Sequence, residues 1–217
     1  MYGWVTHTLN IIRGRCPYGC LYCYMRKFLN KLKPPRLEER CFKQNLGSGK
    51  VIFVGSSIDM WALGIPNEWI EKVLEYLNKY PNNVYLFQSK NPERFRYYYR
   101  LFPPATILGT TIETNRDELV DMITHAPLPS TRFSSMQSLR WDRKMVSIEP
   151  IMDFDLDILV EWIKKIKPEF VSIGADSKGN NLPEPPAWKV KKLIEALEKF
   201  TEIRVKKNLN RILRVKE

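Results

Sequence analysis

Arg13–Arg26 reads RGRCPYGCLYCYMR, which places Cys16, Cys20 and Cys23 within eight residues and leaves Cys41 as the chain's one other cysteine. Cysteines clustered this tightly read as metal ligands or catalytic groups before they read as disulfides. Pro17, Gly19 and the interspersed aromatic residues favour a loop over a helix, and a loop can turn three thiols toward one centre. An iron–sulfur cube is normally held by four cysteines, so three would leave one iron open to a small molecule. The competing reading is a closed zinc tetrahedron completed by Cys41. Against it, Cys41 lies in the charged stretch LEERCFKQN with no Cys or His beside it; a small buried side chain on the helix before the second strand accounts for it as well.

Outward from the cysteines, short apolar runs alternate with helical patterns. The runs at 7–12, 50–56, 83–89, 106–112, 144–150, 170–176 and 202–207 are near-continuously apolar, as parallel strands covered on both faces are. Between them, 66–80, 91–102, 153–166 and 185–200 read as helices, and 115–141 as two short helices broken at APLP. In the second of these, Phe95, Tyr99 and Phe102 are expected to pack inward and Tyr97 and Tyr98 to face out, so FRYYYR is core before it is a base-stacking strip. Strand–helix alternation implies right-handed βαβ units. The chain, 1–217, is expected to be one α/β domain: a partial (β/α)6-type barrel of parallel strands with outer helices and a seventh strand at its end, or a doubly wound open sheet.

The cysteine spacing, with aromatic Tyr22 just before the last thiol, resembles the signature of the radical S-adenosylmethionine (SAM) superfamily. The likeness is sharpest over Leu9–Arg26 and is similar to that of a small phage and prokaryotic branch, itself distantly similar to spore photoproduct lyase. The resemblance implies a partial barrel and a [4Fe-4S] cluster on Cys16, Cys20 and Cys23. It also implies SAM bound at the open iron, reductive cleavage to a 5′-deoxyadenosyl radical, and an external one-electron donor.

In such a barrel, chemistry gathers at the C-terminal ends of the strands. The second strand ends in Gly55-Ser56-Ser57-Ile58-Asp59, where the superfamily commonly carries a Gly-Gly-Glu-like stretch that binds the cofactor's amino group. The resemblance therefore points to Ser56, Ser57 and Asp59 in that place. Lys90, after the third strand, would pair with the cofactor carboxylate or a substrate phosphate. Glu113 is expected to accept hydrogen bonds from ribose hydroxyls, as the resemblance implies for that strand. Glu149 and Asp176 end the next two strands; they would bind cofactor, orient substrate or pair with Lys90 and Lys206, and a ring of structural ion pairs inside the barrel is the alternative.

Composition narrows the partners. With 35 Lys+Arg against 24 Asp+Glu the chain carries a formal charge of +11, which favours polyanions. A nucleic acid is the leading expectation for substrate and a protein the second. No apolar run approaches the roughly 18 residues that a membrane span needs, and MYGWVTHTLN lacks a basic and then apolar leader, so a cytoplasmic protein without membrane partners is expected. The alternative function is a non-enzymatic basic nucleic-acid-binding module stapled by zinc on Cys16, Cys20, Cys23 and Cys41.

Overall fold

A computed structural model describes residues 2–214. Its seven-stranded sheet is wholly parallel: β1 (His7–Leu9), β2 (Val51–Val54), β3 (Val84–Ser89), β4 (Thr106–Thr111), β5 (Lys144–Ile148), β6 (Phe170–Ile173) and β7 (Glu202–Val205). The strands lie side by side in chain order, each bonded to its sequence neighbour. That order decides between the two expected arrangements. A doubly wound sheet reverses direction at a switch point, whereas sequential right-handed crossovers put every helix on one face and curl the sheet around the other. The result is the partial barrel, with the seventh strand present.

Alternation along the strands separates two cores. Tyr85, Phe87, Leu108, Val146, Val171 and Ile173 face the helices and pack with Ile70, Leu74, Leu159 and Leu193. Leu86, Ile107, Met145 and Phe170 point into the lumen and form a second cluster with Tyr2 and Val5 of the N-terminal segment. The chain's first residues thus plug the barrel: Trp4 meets the Phe170 ring edge-on at 5.0 Å, and the Arg204 guanidinium lies 3.6 Å from the same ring. Gly109 belongs to this packing, because a Cβ there would collide with the Met145 sulfur. Each fully buried aliphatic or aromatic side chain contributes about 1.5–3 kcal/mol.

Three elements depart from expectation. β1 ends at Leu9 instead of running to residue 12, because Asn10 turns its amide toward the end of β2. The segment Pro92–Tyr98 is a 3-10 helix; its three-residue period puts Phe95 and Tyr98 on one face, so Tyr98 is buried while Tyr97 stands exposed. The helix expected from 153 begins at Leu156, and Asp153 and Asp155 instead hold Arg116 at 2.5 Å each from the preceding loop. The two short helices within 115–141 are found at Glu118–Asp121 and Pro129–Ser138.

Candidate cofactor and active site

The loop 14–35 is closed at its base by a two-residue ribbon, Ile12–Arg13 against Arg36–Leu37. Gly14 makes the closure feasible: its φ is +133° and a Cβ would meet the Pro34 carbonyl oxygen at 2.5 Å. The loop's tip rests on residues 123–125. Leu21 N–H donates to the Ile123 carbonyl at 2.9 Å, His125 N–H to the Tyr18 carbonyl at 2.9 Å, and the Cys20 thiol lies 3.1 Å from the Thr124 hydroxyl. Thr124 was not visible as a site residue in the sequence.

Cys16, Cys20 and Cys23 are unbonded thiols that share the wall of one cavity of about 150 Å³ with Ser56, Ser57, Asp59 and Lys90. Burial pushes the Cys16 thiol up to about 12, with the Asp59 charge adding to it, and burial raises Cys23 as well. Coordination to a metal reverses that preference, since the bound thiol is deprotonated. Among the described residues no three His, Cys, Asp or Glu side chains converge on a single ion. Three thiolate donors on the wall of one cavity are nevertheless the donor type of an iron–sulfur cluster, whose irons each take one thiolate. Cys41 is elsewhere: fully buried, its thiol faces the Asn10 carbonyl at 3.8 Å and it lines neither cavity of the site.

Asn10 organises the turn after β2. Its amide nitrogen donates to the Ser56 hydroxyl at 3.1 Å and its oxygen accepts from Ser57 N–H at 3.0 Å. Gly55 enters the turn at φ +78°. Asp59 ties the turn to the end of β3, accepting from Ser89 Oγ at 2.9 Å, from Lys90 N–H at 2.7 Å and from Trp61 N–H at 3.0 Å. Burial raises its carboxyl despite those bonds.

A second cavity of about 570 Å³ opens beside the first, and Cys20, Cys23, Ser56, Gln88, Lys90 and Thr111 line both. Its floor is polar: the Tyr2 hydroxyl donates to Gln88 Oε1 at 2.7 Å, and Gln88 Nε2 donates to Thr111 Oγ1 at 2.9 Å. Tyr2 and Gln88 carried no site signal in the sequence, because a floor residue is defined only once the strands are side by side. On the far wall Glu149 is ion-paired with Lys206, whose ammonium lies 4.3 Å above the Tyr2 ring. Asp176 also lines the cavity, but its carboxylate is occupied by its own loop, accepting from Lys178 N–H at 3.1 Å and Asn180 Nδ2 at 2.6 Å.

Behind the shared wall lies a buried network. Glu113, with no exposed surface, accepts from Tyr22 OH and Lys90 Nζ on one oxygen and from Arg132 Nη1 at 2.6 Å on the other. Burial opposes its charge, yet Arg132, then Lys90, then the hydrogen bonds hold the carboxyl well below the usual carboxylate range. Arg132 is itself fully buried and donates further to the carbonyls of Thr111 at 2.9 Å and Pro127 at 2.6 Å. Glu113 lines neither cavity; Tyr22 and Lys90, which it grips, line the larger one. Arg132 was missed in the sequence, where it is one basic residue in the helix PSTRFSSMQS with no spacing relation to Glu113.

Residues 2–199 match a family described as "Protein of unknown function (DUF5131)". The chain belongs to that family. No curated protein matches the sequence. Among solved structures, a spore photoproduct lyase variant with bound AdoMet and a dinucleoside spore photoproduct aligns with 91% of this chain and 75% of its own, at TM-score 0.67 and 10% identity. SuiB of Streptococcus suis, bound to precursor peptide SuiA, aligns at TM-score 0.60 and 10% identity, covering 94% of this chain and 49% of SuiB. The FeFe-hydrogenase maturase HydG of Carboxydothermus hydrogenoformans gives TM-score 0.52 and 15% identity, covering 94% and 54%. This chain therefore spans about half the length of SuiB and of HydG. At these identities the likeness is one of fold: the partial barrel is the arrangement this chain shares with all three structures.

Proposed function

We propose that this protein is a radical SAM enzyme whose Cys16, Cys20 and Cys23 hold a [4Fe-4S] cluster with one iron open to SAM. The observation that carries the reading is that three unbonded thiols and a cation, Lys90, line one cavity at the C-terminal edge of an all-parallel partial barrel. When bound, the cluster and SAM supply a 5′-deoxyadenosyl radical that abstracts hydrogen from substrate.

The chain's own residues bind and orient. Lys90, aimed by Glu113 and Tyr22, offers its ammonium to an anionic group such as the methionyl carboxylate. Ser56 and Ser57, fixed by Asn10, present hydroxyls beside the thiols, and Asp59 holds that turn against β3. Glu113 acts through Tyr22 and Lys90 in place of the ribose contact expected from the sequence. Glu149 and Lys206 face the substrate side of the larger cavity, and Asp176 shapes its rim. A nucleic acid is the leading substrate class, supported by the charge of +11; the SuiB complex with a peptide keeps a protein substrate as the second. One electron from an external donor is required.

The test is anaerobic reconstitution with iron and sulfide, chemical reduction, addition of SAM and mass detection of 5′-deoxyadenosine. Its formation by the wild type and its loss in Cys23→Ala are expected. A colourless zinc protein forming none would overturn the proposal.

A further inference from the structure

The positive charge of this chain is unevenly placed. Residues 1–37 carry seven cations and no carboxylate, whereas the remaining 180 residues carry 28 cations against 24 carboxylates. All seven sit on the cysteine loop and its ribbon: Arg13, Arg15, Arg26, Lys27, Lys31, Lys33 and Arg36. Elsewhere in the fold many cations are spoken for, as with Arg116, Arg143 and Arg204. Among the described residues, Arg15, Arg26, Lys27, Lys31 and Lys33 have no carboxylate within 4 Å, and all five are exposed.

The same face exposes apolar surface. Tyr24–Lys31 forms an eight-residue 3-10 helix with no buried residue. Leu21, Tyr24 and Phe28 keep 44%, 47% and 41% of their surface in solvent, and Lys27 lies 4.8 Å from the Phe28 ring centroid. Tyr24 joins this face to the site. Its ring lines the larger cavity and its hydroxyl donates to the Ser56 carbonyl at 2.9 Å.

We propose that this basic, aromatic face grips a single-stranded polynucleotide and feeds one nucleotide past Tyr24 into the cavity. Unpaired cations interleaved with exposed aromatic rings are what a single strand needs, phosphates on the charges and bases on the rings. Cations left without carboxylate partners keep their full charge for a polyanion, and releasing counterions from that polyanion drives binding. The adjoining cavity, about 570 Å³, admits a small molecule or one extruded nucleotide and not a stacked duplex. The inference rests on the proposed nucleic-acid substrate only for what enters the cavity; the gripping face stands on its own charge and exposure.

The test uses the full chain and fluorescein-labelled oligonucleotides of one mixed sequence, as single-stranded DNA, single-stranded RNA and the annealed DNA duplex, read by anisotropy across a salt series. Either single strand is expected to bind more tightly than the duplex, and comparison of the two assigns the sugar. Combined Arg26→Glu, Lys27→Glu and Lys31→Glu is expected to make the slope of log affinity against log salt shallower by about 2. Phe28→Ala is expected to weaken single-strand binding about tenfold or more through lost stacking. None of these four residues lines either cavity, so thermal stability and SAM cleavage without substrate should stay at wild-type levels. A duplex bound as well as a single strand, or charge reversal without effect on binding, overturns the proposal. So does a charge-reversed variant that binds polynucleotide normally but is reduced more slowly by an acidic flavoprotein, since the face would then dock the electron donor. Strand binding without SAM cleavage in the wild type would refute the enzymatic reading and leave this one intact.

Discussion

Two groups of cations stand around the cysteine loop, one drawn in from distant segments and one on the loop itself, and they are treated in opposite ways. Arg132 and Lys90 are drawn around the buried carboxylate of Glu113 until that charge is matched and satisfied. The exposed cations of the loop, Arg15, Arg26, Lys27, Lys31 and Lys33, have no carboxylate within 4 Å among the described residues. A buried charge is tolerable only when paired and hydrogen-bonded, so Arg132 is committed to holding the wall of the cavity and Lys90 is fixed in position on its surface. An exposed charge is tolerated at little cost, so the second group remains available to a ligand.

The comparison breaks most readily at Arg132. Arg132→Leu leaves Glu113 buried with Lys90 as its sole charged partner, and the expected loss is about 3–5 kcal/mol of folding stability in urea titration. A variant as stable as wild type would show that the network holds nothing. Gly109→Ala probes the barrel floor beneath the network. Its new methyl collides with the fully buried Met145, and about 1–3 kcal/mol should be lost by the same measurement.

Acid titration sharpens the contrast. The Glu113 carboxyl is depressed in the folded protein, so the unfolded chain binds the proton more readily. Its contribution is fully present above the unfolded pKa of roughly 4.3 and is lost as pH falls toward the folded value. Stability should therefore fall through the acid range below about pH 4.5, and Glu113→Gln should flatten that slope in melts taken across pH. The smallest effect belongs to the exposed group. Lys27→Glu or Lys31→Glu should change stability by less than about 0.5 kcal/mol, a result that separates their role from that of Lys90.

Legibility in the sequence followed the same division. The seven strands were readable because a parallel strand covered on both faces needs an unbroken apolar run, which neighbours in sequence supply. The cysteine loop was readable because its ligands lie within eight residues. Lys90, Glu149 and Asp176 were placed near the site because a strand's end follows from the strand. Glu113 was placed at the same edge, but its orientation away from both cavities was not visible. The reason is Arg132, 19 residues on and carried in by a helix whose sequence marks it in no way. Asn10 lies within the apolar run 7–12, yet its amide bonds to Ser56 and Ser57, and β1 ends at Leu9.

The alternation of strands and helices, the three clustered thiols and the carboxylate-free run over residues 1–37 can be read along the chain, because each is a relation among near neighbours. The single winding of the sheet, the cavity floor of Tyr2 and Gln88, and the saturation of Glu113 by Arg132 and Lys90 emerge with folding alone. Those are contacts between distant segments, fixed by which side chains meet when the strands lie side by side, and a buried charge finds its partner in space whatever its distance along the chain.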